Sequence, residues 1–361
     1  MLASVAQRGG SLAHPFLDRS QERPASSCQS DHPVLGSISS CKGLKTRTRK
    51  ERIFKNEKKQ QGPRRPSLAR TIATTCAAST VNPSTTDDRP EAFGIGNIIL
   101  GIDIGGTSVK GAPVDTRTGT LMRERHRICT PQPATPEAVA AVVKEMTDHF
   151  DWAGRPVGIG FPAAIRDGQA LTAANLDKRW IGVDTLELFQ NATNCSNLVV
   201  VNDADAAGYA EMGFGTGKGE RGAVLMITFG TGVGTALFIE EVLVPNLELG
   251  HIEIDGEDAE PSTAGVVVER LGLTWQQWAD RVTRYLTVME RLLWPNLIIV
   301  GGGVSEAADQ WLPLVKLPGK TQIRVATMRN DAGIVGAALA CLAKAALDYK
   351  VCVTVDELTD A

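Results

Sequence analysis

Five short stretches carry residue types suited to phosphate and hydroxyl chemistry. In residues 98–111 an apolar run of strand length carries one acid, Asp103, near its end, and drops into Gly105-Gly106-Thr107, a turn nearly free of side-chain bulk. Such a turn lets backbone N–H groups approach a phosphate, with Lys110 assigned to the same anion and Asp103 able to hold a hydrated Mg²⁺ beside it. A second stretch repeats the logic: an apolar run, residues 223–229, enters Gly230-Thr231-Gly232-Val233-Gly234-Thr235 and leaves as a strand expected over 236–239. Asn202-Asp203-Ala204-Asp205 follows the buried strand 198–201 as a helix begins, where open α/β sheets keep their ligands. One of these residues suffices to cap the helix, and two acids plus an Asn exceed that need. Glu248-Leu249-Gly250-His251 gathers donors and acceptors that suit a polyhydroxylated substrate. Gly301-Gly302-Gly303 offers bare backbone that could lie under a flat base or near a phosphate. Each stretch also has a plainer structural reading, as tight turn, helix cap or core histidine, so the decision rests on their combination.

The elements between them alternate short apolar runs with amphipathic segments, which predicts an α/β architecture. Thr135-Pro136-Glu137 opens a helix with a capping hydroxyl, proline at the first position and an acid in the first turn; Val139, Val142, Val143, Met146 and Phe150 give it one buried face. Residues 275–293 predict a long helix with Trp278, Val282, Tyr285, Leu286, Met289 and Leu293 on one face, stopped by Pro295. Asn330 to Ala338 opens a helix of small residues that permits close packing. Two Gly/Thr hairpins about 125 residues apart suggest a duplicated fold facing one cleft.

Charge divides the 361-residue chain in two. Residues 1–70 hold 15 Lys+Arg against 5 Asp+Glu, whereas the remaining 291 hold 23 against 36. The first 90 or so residues, rich in Ser, Arg and Lys and without an acid before Asp18, read as a transit peptide and linker. The Ser-rich, poorly amphipathic composition favours the plastid stroma, with the mitochondrial matrix or cytoplasm as alternatives. The competing reading is a basic tail for a polyanion such as nucleic acid, and import is preferred because such sequences use the same charge. No nucleic-acid or membrane partner is expected: no run of about 18 apolar residues is present. The seven cysteines are scattered, without a C-x-x-C pair, which points to a reduced compartment and no structural zinc.

Taken in order, Asp103-Ile104-Gly105-Gly106-Thr107, Asn202-Asp203-Ala204, residues 229–234, Glu248-Leu249-Gly250-His251 and Gly301-Gly302-Gly303-Val304 resemble ROK-family sugar kinases, over about residues 97–347. Residues 173–182 and 292–300 look like the polyphosphate glucokinase branch of that family. No cysteine cluster follows His251, in keeping with that branch, while the segment after Asp258 offers only Arg270 where the branch tends to be arginine-rich. The resemblance implies a two-domain actin-like ATPase (ribonuclease H-like) fold with an inter-domain cleft: a small α/β domain over 97–205, completed by a C-terminal helix at 333–347, and a large α/β domain over 206–332. It further implies a homodimer that transfers a phosphoryl group from inorganic polyphosphate, ATP or both to the 6-hydroxyl of glucose. Asp203 would be the base, and Asn175, Asn202, Asp203, Glu248 and His251 would hold the sugar. Gly105, Gly106, Thr107, Thr231, Gly232 and Gly234 would hold phosphate, and Gly301 to Gly303 the donor. Lys178, Arg179, Arg270, Arg281 and Arg284 are candidates for a polyphosphate track. The alternatives are a strictly ATP-dependent hexokinase and a sugar-sensing regulator; the latter needs an N-terminal winged helix, for which residues 1–90 lack the periodicity.

Overall fold

The computed structural model describes residues 96–359 except 174, 175 and 196, so the expected leader and Asn175 lie outside the described residues. The chain begins with the antiparallel pair β1 (Ile98–Ile104) and β2 (Ser108–Asp115), in whose register Asp103 faces Lys110. Two short strands, β3 (Thr120–Leu121) and β4 (His126–Cys129), add to β2. Helix α1 (Pro136–His149) follows, with Thr135 accepting the Ala138 N–H as its N-cap. Strand β5 (Val157–Phe161) then lies parallel to β1; a small hairpin, β6 (Ile165–Arg166) and β7 (Gln169–Ala170), leads to helix α2 (Thr185–Thr193) and to β8 (Leu198–Asn202), parallel to β5. The first sheet is ordered β3-β2-β1-β5-β8.

Helix α3 (Asp203–Phe214) leads into the second sheet. Here β9 (Ala223–Phe229) and β10 (Val233–Ile239) are antiparallel and β11 (Val242–Val244) flanks β10. The hairpin β12 (Glu253–Ile254) and β13 (Glu257–Asp258), the single-turn helix α4 (Glu260–Thr263) and the long helix α5 (Trp275–Leu293) intervene. Strands β14 (Leu297–Gly301) and β15 (Gln322–Val325) then run parallel to β9, before the final helix α6 (Ala332–Thr359). The order β11-β10-β9-β14-β15 repeats the first sheet strand for strand. A duplicated plan therefore underlies the two Gly/Thr hairpins.

Alternation along the strands explains why they read as continuous apolar runs: both faces of each sheet are covered. From β1, Leu100, Ile102 and Ile104 pack with Val139, Val143 and Met146 of α1, while Ile99 packs with Ile334, Val335 and Ala338 of α6. From β9, Leu225, Ile227 and Phe229 meet Trp278, Val282 and Tyr285 of α5, while Val224 and Met226 pack with Ala236, Phe238, Leu297 and Ile299. Helix α5 matches the predicted span and carries a capping box between Thr274 and Gln277.

Strand β10 begins at Val233, three residues earlier than expected, because Gly234 and Thr235 extend the ladder opposite Thr228 and Ile227. The glycine at 234 answers a packing need as well as the turn: a Cβ there would sit 2.6 Å from the Thr228 hydroxyl and 2.9 Å from the Ala204 methyl at the start of α3. The stretch 329–348, which runs from the turn before α6 into that helix, is long and apolar enough by composition to cross a membrane. Its apolar residues Ile334, Val335, Ala337, Ala338, Ala340 and Cys341 are buried within the fold, and a core helix passes the same test.

The approach of α6 to β1, β5 and α3 is backbone to backbone. A Cβ on Gly101 would lie 1.9 Å from the Ile334 carbonyl oxygen, one on Gly158 1.8 Å from that of Ala337, and one on Gly336 1.6 Å from that of Ala206. No rotamer change relieves such contacts, so Gly158→Ala is expected to cost about 3 kcal/mol or more in chemical denaturation. Gly303→Ala, at a position with open space within 4 Å, is the control and should stay within about 0.5 kcal/mol.

Candidate active site

The turns after β1 and β9 open on one cavity of about 720 Å³. It is lined from the first sheet by Asp103, Gly105, Gly106, Thr107, Pro162, Ala163 and Thr172, and from the second by Thr228, Gly230 to Thr235, Glu248, His251 and Glu260; Asn202 and Asp203 lie at the junction of β8 and α3. Period-two alternation places Asp103 on the same face of β1 as Ile99 and Gly101, the face toward α6. Its carboxylate lies where a Cβ on Gly333 would be, 2.6 Å from Asp103 Cγ, and Lys110 approaches it at 3.6 Å across the β1–β2 ladder.

Asn202 is the N-cap of α3. Its Oδ1 accepts the N–H groups of Ala204 (2.8 Å) and Asp205 (3.2 Å), and its Nδ2 donates to the Ala163 carbonyl (3.2 Å). One amide hydrogen is left for a ligand. Asp203, the first residue of α3, accepts the Ala204 N–H at 2.9 Å.

The turn bearing Glu248 and His251 is held residue by residue. The Thr235 hydroxyl donates to the Leu247 carbonyl (2.5 Å) and accepts the Leu249 N–H (3.1 Å), the Tyr285 hydroxyl donates to the Leu249 carbonyl (3.2 Å), and Gly250 lies so close to β10 that a Cβ would be 2.1 Å from the Val233 oxygen. His251 Nδ1 pairs with Asp258 at 2.9 Å, which aims Nε2 away from Asp258. Glu260 accepts the Val233 N–H at 2.8 Å beside the second turn.

The ROK family's sequence profile matches residues 99–266. The polyphosphate glucokinase of Mycobacterium tuberculosis (strain CDC 1551 / Oshkosh) is 44% identical over 68% of this chain and 91% of its own. The chain belongs to the ROK family. The polyphosphate glucokinase of Mycobacterium leprae (strain TN) is 41% identical over 77% of this ROK chain and 86% of its own. The crystal structure of the inorganic polyphosphate/ATP-glucomannokinase from Arthrobacter sp. strain KM is 47% identical, covers 69% of this chain and all of its own, and superposes with a TM-score of 0.64. The actin-like, ribonuclease H-like α/β fold is thereby shown for this ROK member.

Some residues singled out in the sequence are not brought to the cavity. Gly301 to Gly303 do not line it: Gly301 pairs with Thr228 in the ladder, and Gly302, at φ +81°, packs against the Phe229 backbone, where a Cβ would meet its oxygen at 2.3 Å. Lys110 does not line the cavity either, but its ammonium pairs with Asp103, which does. The track candidates are committed to neighbours: Lys178 to the Ala173 carbonyl, Arg179 to Asp177 and Glu137, Arg284 to Asp255. Arg270 and Arg281 donate to the carbonyls of Pro261 and Ser262, and Trp278 to that of Thr263, so the three together cap the C-terminal end of α4, which carries Glu260. Glu260, Asp258, Thr235 and Gly333 were missed by sequence reasoning. Their signal is tertiary, since each owes its place to a partner distant in sequence or to a bend no motif marks.

The cavity concentrates carboxyls away from bulk water. Burial raises Asp203 to about 7, with the charges of Asp103 and Glu248 adding to the shift against the Ala204 hydrogen bond. Burial also raises Asp103, against Lys110 and Arg125, and Glu248, against His251. His251 is raised by its bond to Asp258. Asp205, 1% exposed, is pushed to about 7 by burial, with Glu248 contributing, although its Oδ2 accepts the Asn246 N–H at 3.0 Å. A carboxyl raised on folding binds its proton more tightly in the folded state, so stability falls as pH rises from about 4 through about 7. Asp205→Asn removes the charge while keeping an acceptor. It should raise the thermal midpoint at pH 8 by a few degrees, on the order of 1–4 kcal/mol, and leave it nearly unchanged at pH 5.

Proposed function

We propose that this chain phosphorylates the 6-hydroxyl of glucose, with inorganic polyphosphate as donor and ATP as a second donor. The observation that carries this reading is the meeting of two glycine turns, from two sheets of the same strand order, at one cavity whose inner end holds Asp203. The names of the relatives, two polyphosphate glucokinases and a polyphosphate/ATP-glucomannokinase, support the acceptor and the donors.

Asp203 accepts the proton of the 6-hydroxyl as that oxygen attacks the terminal phosphorus, a contribution on the order of 10² to 10⁴ in rate. A carboxyl titrating at about 7 is matched to this task at neutral pH. Gly105, whose N–H closes the first turn on the Ser108 carbonyl, shapes that turn, while backbone N–H groups of Gly106, Thr107, Thr231 and Gly232, with the two threonine hydroxyls, gather the phosphate oxygens, and positioning supplies most of the catalysis. Glu248, His251 and the free amide hydrogen of Asn202 pair with sugar hydroxyls, so an analogue lacking one leaves a polar group unpaired. Asn175 belongs to the same sugar set by resemblance.

A divalent metal suits the donor side. Among the described residues no group of three or more acids, histidines or cysteines forms a protein cage, and Asp103, the cavity carboxylate on the strand that enters the Gly105 to Thr107 turn, would hold an ion that keeps most of its waters, the habit of Mg²⁺. When bound, Mg²⁺ neutralises phosphate charge. A homodimer in the plastid stroma completes the reading, the address resting on the composition of the first 90 or so residues.

Glucose 6-phosphate formation, measured with polyphosphate alone and with ATP alone, tests the reading; product from neither donor would sink it. Asp203→Asn is expected to lower kcat by about 10² or more while glucose binding stays measurable by calorimetry. With the parent protein, kcat/KM for glucose should fall about tenfold per pH unit below about pH 7 and level off above it, since protonation removes the base.

A further inference from the structure

One buried polar cluster has no part in these steps. Asn246, in the left-handed region at φ +60°, lies two residues before Glu248 and uses its whole side chain on one distant residue: its Oδ1 accepts the Ile165 N–H (2.7 Å) and its Nδ2 donates to the Ile165 carbonyl (2.6 Å). A side-chain amide here mimics a strand partner, joining the turn that carries Glu248 and His251 to β6 of the small β6–β7 hairpin that follows β5. Its own N–H is taken by Asp205 Oδ2 at 3.0 Å, from α3. Asp205 is 1% exposed and its Oδ1 is buried without a partner, so little besides this contact accounts for a carboxyl at that position.

We propose that Asn246, held in place by Asp205, is a positioning residue for the sugar, latching the 163–172 loop to the turn that carries Glu248 and His251. The inference rests on the reading of the cavity as a glucose site. Ile165 stands two residues from Ala163, which lines the cavity and is already fixed to α3 through Asn202. Thr172, also in the lining, accepts the Ala164 N–H at 3.0 Å and closes the loop on itself. Asn202 ties this loop to the base, and Asn246 ties it to Glu248. With both ties in place the groups that face the sugar from the two sheets have fixed spacing before substrate arrives, so binding glucose does not have to order them. Neither phosphate turn is touched by the latch, so donor binding is independent of it.

The test is steady-state kinetics on the full chain with glucose and polyphosphate varied in turn. Asn246→Ala should raise the KM for glucose by about tenfold or more, with the KM for polyphosphate within about twofold and kcat within about threefold of the parent. Asp205→Ala should give the same pattern, the double variant should be no worse than either single one, and Asp205→Asn, which keeps an acceptor for the Asn246 N–H, should stay within about twofold of the parent. A folded Asn246→Ala protein with the parental KM for glucose overturns the proposal, as does an equal rise in the KM for polyphosphate, which reports general loosening. If Asn246→Ala does not fold, the Asp205→Ala and Asp205→Asn pair decides by the same criteria. Should the parent phosphorylate glucose with neither donor, the glucose reading fails, and amide exchange decides the latch alone: the Ile165 N–H should exchange about tenfold faster in Asp205→Ala than in the parent, and unchanged exchange overturns it.

Discussion

The structure depends on a seam where the backbone of α6 touches that of β1, β5 and α3 without side chains between. Gly101, Gly158 and Gly336 each leave a carbonyl oxygen of a neighbouring element where a methyl group would stand. Dispersion across so close a contact is gained along its whole length, and it forfeits heavily if the elements part by even an ångström. The seam also fixes the active site, because Gly333 continues it to Asp103. The helix that closes the fold therefore sets how far the phosphate-side carboxylate can move.

Against that rigid frame the cavity holds an electrostatic cost. Asp103, Asp203, Asp205 and Glu248 are all raised by removal from water, and Asp203 and Asp205 feel neighbouring negative charge as well. A folded protein keeps such a cluster only where other contacts hold it, and the capping bonds of Asn202 and the hydroxyl of Thr235 are among those contacts.

Motifs whose geometry is local were legible in the sequence. The glycine turns, the Asn-Asp at a strand end and the Glu-x-Gly-His each owe their shape to adjacent residues, and the structure gathers Gly105 to Thr107, Thr231, Gly232, Asn202, Asp203, Glu248 and His251 around one cavity. The strand pattern was readable because sheets covered on both faces give uninterrupted apolar runs. What stayed hidden depends on distant partners. Gly302 reads as bare backbone for a ligand, and only the structure shows that its lack of a side chain also serves packing on Phe229; Glu260 looks like one more surface acid until the Val233 N–H points at it. The arginines suggested a track by charge alone, whereas the carbonyl and carboxylate partners that orient their side chains could not be read from the sequence.

The repeated strand order carries a consequence for how the two substrates are told apart. Matching β1, β2, β5 and β8 to β9, β10, β14 and β15 by strand order also matches one glycine turn to the other and α3, which follows β8, to α6, which follows β15. It does not carry the chemistry: the fourth strand ends in Asn202-Asp203 in one copy and runs into Ala326-Thr327 in the other. The strand order repeats and the side chains differ at this strand end. A cavity lined from two copies of one plan thereby has unlike walls, and the buried acid at the start of α3 has no counterpart at the start of α6.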